Sequence, residues 1–494
     1  MKNSNPFDLT GETALITGGG TGLTVEFACK SRFEFSAELL RVMSPSAEVQ
    51  GPFRQVLGNA GILLGGKALN GALSLGATAL AARTLGVEMF GVLVLVHAYV
   101  QSIGEIAKFQ SWQALLQYGT APFEAGRIGE FQRVLRFSLA LDALSGIGGI
   151  VIAVLGVLLI GNALGWPAAL SPQVAAYSLV IVFMVSATPT GALRLLDRFD
   201  LLAWQSSIDS WVRVIGAAIA WHCDAGLTTF LAIWFVGQVA AFIFLFGMAS
   251  RTLRSRGALD GFTLRAPGSL TEGFPGLWSF VWSTNLNSTL ALAFTHVSTL
   301  MVGALLGARD AALFRVAKQL GDAVAKPAKL IVPALYPELA RLAAAKDHTT
   351  LRRLVWQLAL AAGGAASVLL LIAALIREPA LRFLVGEEFV PAKDVLLWLL
   401  GASVVSLWAL PLEPLLMSTG SAGAAFRMRL LVTVIYLPFL YFATVQGGLT
   451  ATGAASVVGA LMLFLGQLWL VIRWYRGSSR PPSSPGQAGP VDAI

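Results

Sequence analysis

The chain has 494 residues, of which 56% are hydrophobic and only 13% are charged. Soluble proteins carry about 25% charged residues, so this composition excludes a water-soluble protein and indicates a polytopic membrane protein. The formal net charge of +8 is explained by the Lys and Arg residues in cytoplasmic loops, which orient a membrane protein in the bilayer. We therefore expect no nucleic-acid partner. The two cysteines, Cys29 and Cys223, have no metal-binding spacing, and we expect no metal and no cofactor.

The first 54 residues carry a motif of their own. Residues 13–24 read TALITGGGTGLT, an apolar strand-like run that enters a glycine turn, and residues 7–23 resemble the start of a short-chain dehydrogenase. The resemblance would imply a nicotinamide cofactor. Thr24 stands where that family's pattern ends in glycine, and no tyrosine has the Lys four residues later that the family's catalytic pair requires. We interpret residues 1–54 as a soluble extension that carries a truncated, non-functional remnant of such a domain. The remnant comes either from an unrelated coding region or from an upstream start. We therefore expect that the protein is not an enzyme.

Long apolar runs begin at Val56 and alternate with short basic or Gly/Pro-containing turns. Each run is close to the roughly 20 residues that cross the hydrocarbon core of a bilayer as a helix. The sequence therefore predicts an all-α membrane protein. Its predicted transmembrane helices, about twelve in number, lie at 56–82, 90–109, 134–160, 173–193, 201–221, 227–249, 278–306, 311–336, 354–376, 394–417, 428–446 and 451–473.

Basic residues predict how these helices are oriented. With the N-terminus in the cytoplasm, the cytoplasmic connections and the C-terminal tail hold eighteen Lys and Arg residues. The opposite side holds only Arg83, Arg309, Arg377, Arg382 and Lys393. Cytoplasmic loops of membrane proteins are enriched in Lys and Arg, so both termini are predicted to be cytoplasmic. The tail at 477–494 is rich in Pro, Gly and Ser and is predicted to be disordered.

Two parts of the membrane region resemble each other. Leu85-Gly86 aligns with Leu306-Gly307 at an offset of 221 residues, and FQRV at 131–134 aligns with LRRL at 351–354 at an offset of 220. Helical hairpins can align by chance, but here the register extends through an apolar helix, a Gly turn, a second helix and a basic connection. The register predicts two parallel six-helix lobes, at 55–250 and 276–476, joined by a cytoplasmic linker at 251–275. Transporters built in this way bind substrate between the lobes, so a central cavity is expected.

A stripe of ionisable residues on the eighth predicted helix is the sharpest sign of a site. Its members fall within an arc of roughly 80° at 100° per residue. They are Arg315, Lys318, Asp322, Lys326 and Lys329, and the equivalent positions of the second helix are Val94, His97, Gln101, Glu105 and Lys108. Each charge would cost on the order of 3 kcal/mol at the bilayer centre, so both stripes are expected to line a hydrophilic cavity. For Lys108, Lys326 and Lys329, snorkelling to the membrane surface is an equal alternative.

The cationic balance of the stripes suits an anionic substrate such as a phosphate or a pyrophosphate. Arg315, Lys318 and Lys326 are expected to bind it, with Lys67 of the first helix assisting. The residues expected to line the cavity are His97, Gln101, Glu105, Asp322 and Asn285. Asp142 and Glu413 are candidates for ion coupling, and each is equally readable as a satisfied polar residue. Asp209 and Arg213, four residues apart, are expected to form a structural pair.

The order of these features resembles a known family. GNAGILLGGKALNGALSLGATALAARTLGVEMFGVLVLV at 58–96, LLGARDAALFRVAKQL at 305–320 and IVPALYPELARL at 331–342 are similar to the opening helices and the second half of the polysaccharide transporter family. The resemblance covers about residues 54–475. It implies two six-helix lobes around a central cavity in the bacterial inner membrane. Family members generally begin a few residues before the first helix, unlike this chain.

The resemblance also implies a function. These proteins are flippases that move an undecaprenyl-diphosphate-linked oligosaccharide, such as an O-antigen or exopolysaccharide repeat unit, from the cytoplasmic to the periplasmic leaflet by alternating access. The expected partners are this lipid-linked oligosaccharide and membrane lipid, with a polysaccharide polymerase and a chain-length regulator as candidates. One alternative is a cation-coupled multidrug exporter of the same superfamily, which would need acidic groups and aromatic walls. The others are a lipid II flippase, which usually has more helices, and an oxidoreductase that uses residues 1–54.

Overall fold

The computed structural model describes the backbone of residues 14–18, 23–27, 52–161, 165–264, 271, 273–329, 339, 341–343, 345 and 347–478. Side chains are described from Leu69 onward, apart from residues 160, 283–284, 286–296, 324, 326–329, 348, 422 and 477–478 of those ranges. The chain divides into two compact units, Met1–Asn59 and Ala60–Ile494. The predicted tail at 477–494 lies almost wholly outside the described residues.

The residues before and after the glycine turn near the N-terminus form two paired strands. Strand β1 (Ala14–Gly18) pairs antiparallel with β2 (Leu23–Phe27), with Thr17 opposite Thr24. A dinucleotide-binding turn instead leads from a strand into a helix, whose N-terminus receives the pyrophosphate. Among the described residues of this segment, the element that follows β1 is a strand.

The helices are grouped here by sequence into two halves. The N-terminal half contains α1 (Pro52–Ala107), α2 (Ser111–Glu124), α3 (Ile128–Ile160), α4 (Ser171–Tyr177), α5 (Val180–Met184), α6 (Ala187–Leu195), α7 (Phe199–His222) and α8 (Leu227–Ser255). The C-terminal half contains α9 (Leu277–Leu306), α10 (Ala308–Lys329), α11 (His348–Leu384), α12 (Lys393–Trp408), α13 (Leu412–Ser418) and α14 (Ala422–Ser478). Short 3₁₀ turns lie at Ala168–Leu170 and Glu387–Ala392.

The apolar pattern does not predict helix α2. It places these residues in the connection between the predicted helices at 90–109 and 134–160. Its buried residues Ser111, Ala114, Leu115, Gly119 and Pro122 recur every three to four positions and form a single face. This face packs against α3 and α6. An amphipathic helix with one narrow buried face has too few apolar residues to stand out in a search for spanning segments.

The predicted helix at 173–193 is broken into α4, α5 and α6. Val185 and Ser186 leave the helical conformation between α5 and α6. Pro189 lies in the first turn of α6, where its missing N–H is not needed. In a continuous helix its ring would clash with the carbonyl of Val185, so the chain restarts its helix at this point.

Seven segments of the described residues are long and apolar enough to cross a membrane. Two of them, Leu69–Glu124 and Gly423–Arg476, contain 56 and 54 residues, more than twice the length of one crossing. They are interrupted at Gly86 and Gly448, where the backbone leaves the helical conformation. Apart from its N-terminal hairpin, the described protein is an all-helical multi-span membrane protein, as its composition predicts.

The two glycines aligned by the sequence repeat have the same backbone conformation. Gly86 has φ 69° and ψ 173°, and Gly307 has φ 92° and ψ 179°. This region of backbone space is essentially open to glycine alone, and it reverses the direction of the helices on either side. The equivalence of Leu85-Gly86 and Leu306-Gly307 therefore extends from sequence to geometry.

Buried apolar side chains pack both within each half and between the two halves. In the N-terminal half, α7 packs on α8 and α2 on α3, while in the C-terminal half α12 packs against α10, α11 and α14. The largest group of buried side chains nevertheless joins both halves, with Leu93 of α1, Phe314 of α10 and Leu396 of α12 among its members. This contact region, where α1 meets α10, also contains the polar residues of interest.

Candidate functional site

A small cavity lies where α1, α7 and α8 of the N-terminal half meet α10 of the C-terminal half. Its volume is about 40 Å³. It is lined by Ser74, Ala77, Thr78, Phe90, Val94, His97, Ala98, Gln101, Arg213, Trp234 and Arg315, and is called the interface cavity below. A water molecule needs roughly 10–15 Å³ of such space, so the interface cavity has room for a few waters and for no sugar chain.

His97 is fixed by aromatic neighbours on other helices. Its Nδ1 lies 2.8 Å from the hydroxyl of Tyr177 on α4, and its ring centroid lies 5.1 Å from that of Trp234 on α8. Tyr177 is buried, so its hydroxyl needs this partner. The imidazole is thus held in one orientation on the wall of the interface cavity, where it can exchange hydrogen bonds with a bound group.

Two arginines from opposite halves face the interface cavity. Arg213 Nε donates to Asp209 Oδ1 at 2.9 Å, and its guanidinium carbon lies 5.5 Å from the Trp234 ring centroid. Within the described residues, no side chain accepts a hydrogen bond from the Arg315 guanidinium. Asp209 forms an ion pair with Arg213, whereas the Arg315 guanidinium interacts with the Asp322 carboxylate only at longer range, so the lining of the interface cavity is cationic. A second positive charge so close makes an anion between the two arginines favourable.

A direct polar contact between the halves lies beside the arginines. Thr78 Oγ1 of α1 donates to Gln319 Oε1 of α10 at 3.0 Å, and Gln319 Nε2 donates to the Ser74 carbonyl at 3.3 Å. Gln319 is buried, so breaking these bonds leaves its amide without partners unless water replaces them. This contact therefore favours the arrangement in which the interface cavity is closed.

The charged stripe of α10 is divided between two cavities. Lys318 and Asp322 line a separate space of about 200 Å³ among α9, α10, α12 and α14, called the C-terminal cavity below. Lys318 Nζ donates to Ser298 Oγ at 3.1 Å, and the hydroxyls of Tyr436 and Ser456 face the same space. Thus the structure brings Arg315, His97 and Gln101 together, and places Lys318 and Asp322 inside the C-terminal half.

The two candidates for ion coupling lie in local networks away from the interface cavity. Asp142 of α3 is buried and accepts hydrogen bonds from Ser111 Oγ at 2.5 Å and from the Thr188 N–H at 2.7 Å. It thereby ties the first turns of α2 and α6 to α3. Glu413 of α13 forms an ion pair of 2.6 Å with Arg429 of α14.

The remaining predicted residues lie as follows. Glu105 is half-buried one turn beyond Gln101 on α1, outside the lining of the interface cavity. Asn285 of α9 is buried, and its Oδ1 accepts no hydrogen bond from the described residues. Lys67 and Lys326 belong to α1 and α10, but their side chains lie outside the described residues.

Sequence reasoning missed several residues of the interface region. The sequence pattern predicts only a structural pair for Arg213, and it does not single out Trp234, Ser74, Thr78 or Gln319. Arg213 could have been recognised as an intramembrane cation, since an ion pair with Asp209 leaves four of its five N–H donors free to act elsewhere. Gln319 lies four residues after Arg315, on the same helix face, and an uncharged amide was passed over among cations.

Comparison with known proteins decides the family. A model of the family described as polysaccharide biosynthesis protein matches residues 56–343. The chain belongs to the polysaccharide biosynthesis protein family. The matched range includes all but the first four residues of α1, both arginines of the interface cavity and the whole of α10. The resemblance drawn from the sequence motifs is thereby confirmed.

A curated relative agrees with this assignment. The chain is 34% identical over 356 residues to the inner membrane protein YghQ of Escherichia coli (strain K12), and the match covers 70% of this chain and 97% of that protein. Nearly the whole of YghQ is therefore represented here.

Solved structures share the fold. An inward-facing multidrug resistance MATE family transporter of the MOP superfamily superimposes with a TM-score of 0.67 and 13% identity, covering 84% of this chain and 96% of its own. The lipid II flippase MurJ in an inward closed conformation gives a TM-score of 0.65 and 12% identity, covering 85% and 90%. At such identities the likeness concerns the fold alone.

Proposed function

We propose that this protein is a flippase that moves an undecaprenyl-diphosphate-linked oligosaccharide, of the O-antigen or exopolysaccharide type, across a bacterial inner membrane. The observation that carries the proposal is the pair of arginines at the interface cavity, one from each half. A diphosphate head group needs positive partners where lipid supplies none, and guanidinium groups bind phosphate through paired hydrogen bonds. Membership of a polysaccharide biosynthesis family and the inner-membrane relative support the same substrate class and location.

The mechanism follows from the position of the cavity between the halves. The interface cavity of about 40 Å³ is too small for the substrate, so the halves must separate to admit it. The diphosphate then binds Arg315 and Arg213, with His97 and Gln101 donating to its oxygens. Closure at one side and opening at the other deliver the head group to the periplasmic leaflet. We infer twelve crossings in two parallel six-helix lobes, with cytoplasmic termini, as the scaffold for this cycle.

The other predicted residues keep secondary roles in the proposal. Lys318 and Asp322 act from the C-terminal cavity, and Lys67 and Lys326 extend the positive path toward the cytoplasm. Asp142 and Glu413 remain candidates for ion coupling. A polymerase and a chain-length regulator are proposed partners that would receive the translocated substrate.

The charge of the residues that line the interface cavity distinguishes the flippase from a drug exporter. An exporter of organic cations needs carboxylates at its binding site, and the lining of the interface cavity contains arginines and no carboxylate among its described members. Trp234 and Phe90 give it the aromatic walls such an exporter would use, but Arg315, which has no hydrogen-bonded carboxylate among the described residues, would repel a cationic drug. The drug-exporter alternative is therefore disfavoured.

Complementation tests the proposal. A bacterial strain that lacks its own O-antigen flippase receives either the full chain or residues 51–494, with expression and membrane insertion measured for both. We expect both to restore surface polysaccharide, because the remnant-bearing extension takes no part in transport. Failure of both at normal expression, together with efflux of cationic dyes, would contradict the flippase and favour the exporter. Restoration by the full chain alone would contradict a passive extension.

A further inference from the structure

Another cavity lies between the two arms of α14, at the end away from Gly448, and shares no lining residue with the interface cavity. The two arms of α14, before and after Gly448, run antiparallel, since Tyr436 lies beside Ser456 and Met428 lies beside Gly466. They touch near Gly448, where Thr452 Oγ1 donates to Thr444 Oγ1 at 2.9 Å. At the other end they enclose a groove of about 670 Å³, which is called the arginine groove below. Such a volume suits a ligand of several polar and apolar groups.

The arginine groove has positive charge without a balancing carboxylate. Arg427 of the first arm and Arg473 of the second both line it, and both side chains are exposed. Within the described residues, neither forms an ion pair. Arg429 provides a contrast only two residues away, since it is paired with Glu413 at 2.6 Å. The local fold thus neutralises one arginine and leaves its neighbour directed at the groove.

Aromatic and apolar side chains complete the arginine groove. Trp469 and Trp474 line it, and the guanidinium carbon of Arg473 lies 5.5 Å from the Trp469 ring centroid. Leu431 lines the wall nearest the membrane-spanning part, and with exposed Val434 and Ile435 it continues into an apolar surface. Tryptophan with arginine at the end of an apolar helix is typical of the boundary between lipid tails and head groups. The ligand must therefore be amphipathic, with an anionic head.

We propose that the arginine groove binds an anionic glycerophospholipid of the surrounding leaflet, such as phosphatidylglycerol or cardiolipin. Its phosphate lies between Arg427 and Arg473, its glycerol backbone packs on Trp469 and Trp474, and its acyl chains follow Leu431 along α14. Basic pockets between transmembrane helices favour anionic lipid over zwitterionic lipid by charge. The bound lipid fills the space between the two arms of α14 beside the point where Met428 packs on Gly466. This site is independent of transport through the interface cavity.

Lipid titration of the purified full chain tests the proposal. Native mass spectrometry and thermal unfolding are followed as phosphatidylglycerol, cardiolipin or phosphatidylcholine is added. The test variant is Arg427→Gln/Arg473→Gln. The matched control, Arg251→Gln/Arg256→Gln, removes two exposed arginines from the end of α8 and its following turn. We expect the anionic lipids to bind and to raise the unfolding temperature of the wild type and of the control. In the test variant their affinity falls about 10- to 30-fold, and Arg427→Lys/Arg473→Lys recovers most of it.

Four results would overturn the proposal. In the first, the test variant binds phosphatidylglycerol as the wild type does. In the second, phosphatidylcholine binds equally well. Displacement of the lipid by inorganic pyrophosphate would mean a site for phosphate groups in general. Displacement by undecaprenyl phosphate at an equal mole fraction would assign the arginine groove to the transported lipid instead.

Discussion

Arg315 decides the chemistry of the interface cavity. It is half-buried on α10, at the contact with α1, and no described side chain accepts a hydrogen bond from it. Its neighbour Arg213 forms an ion pair with Asp209, so an anion that enters the interface cavity meets one guanidinium that is hydrogen-bonded to a carboxylate and one, Arg315, that interacts with a carboxylate only at longer range. Intramembrane ionisable groups are costly and are retained where they bind something. Arg315 is therefore the residue on which substrate binding should depend most.

We expect Arg315→Ala to lower the rate of lipid-linked oligosaccharide flipping at limiting substrate by roughly 30-fold or more, since a desolvated charge pair is worth about 2–5 kcal/mol. Arg315→Lys should keep part of the rate, because an ammonium supplies charge without paired hydrogen bonds. The rate is measured in proteoliposomes at equal protein content. Arg309→Ala, which removes an exposed cation near the start of the same helix, is the control and should flip normally. A wild-type rate for Arg315→Ala would remove this residue from the site.

Glycines at the helix reversals determine how the elements meet. Gly86 and Gly307 both have positive φ with extended ψ, and Gly448 has φ 62° and ψ −151°, in the same glycine-only region. Each lies between two long helices. A residue with a side chain would force the turn into another conformation and tilt the helices on both sides.

Alanine at these reversals should lower stability by about 1–3 kcal/mol through backbone strain. Gly86→Ala should be the more harmful, because its Cβ would also lie 3.3 Å from Glu388 Oε2, whereas a Cβ at Gly307 meets nothing within 4 Å. Gly364→Ala is the matched control, since Gly364 lies inside α11 with open space around it and alanine favours helix there. Unfolding temperatures in detergent should fall in the order Gly364→Ala, Gly307→Ala, Gly86→Ala. Equal unfolding temperatures for the three variants would contradict the proposed backbone strain at Gly86 and Gly307.

The sequence predicts elements better than it predicts side-chain neighbours. Apolar length alone locates most of the spanning helices, and the Leu-Gly repeat locates two of the reversals. Periodicity also places Arg315 and Lys318 on one face of α10. It does not reveal that this face borders two cavities. Arg315 and Lys318 lie about 60° apart around the helix, and Arg315 lines the interface cavity whereas Lys318 lines the C-terminal cavity. Which partner helix covers each part of a face depends on packing between distant segments, as Thr78 with Gln319 shows.

At the scale of the whole molecule, the reversal at Gly86 is joined to the C-terminal half. The Val87 N–H donates to Glu388 Oε2 at 2.9 Å, and Arg83 donates to the Phe383 carbonyl. Phe90 and Phe389 pack edge to face with ring centroids 5.8 Å apart. The positive-inside pattern predicts that this end faces the periplasm. These contacts join the two halves at that end, so the alternating access proposed above would require them to break when the interface cavity opens there.

Tethering this end should therefore stop transport. In a Cys29→Ser/Cys223→Ser background, Val87→Cys and Glu388→Cys are joined by a short, reducible bifunctional thiol reagent. We expect flipping to fall to background in the cross-linked protein and to return on reduction, because the halves can no longer separate around the interface cavity. Each single-cysteine variant, treated with the same reagent, controls for modification alone and should keep its rate. Undiminished flipping at complete cross-linking would mean that the Gly86 end stays closed throughout the cycle, and that substrate leaves the interface cavity by a lateral route between helices.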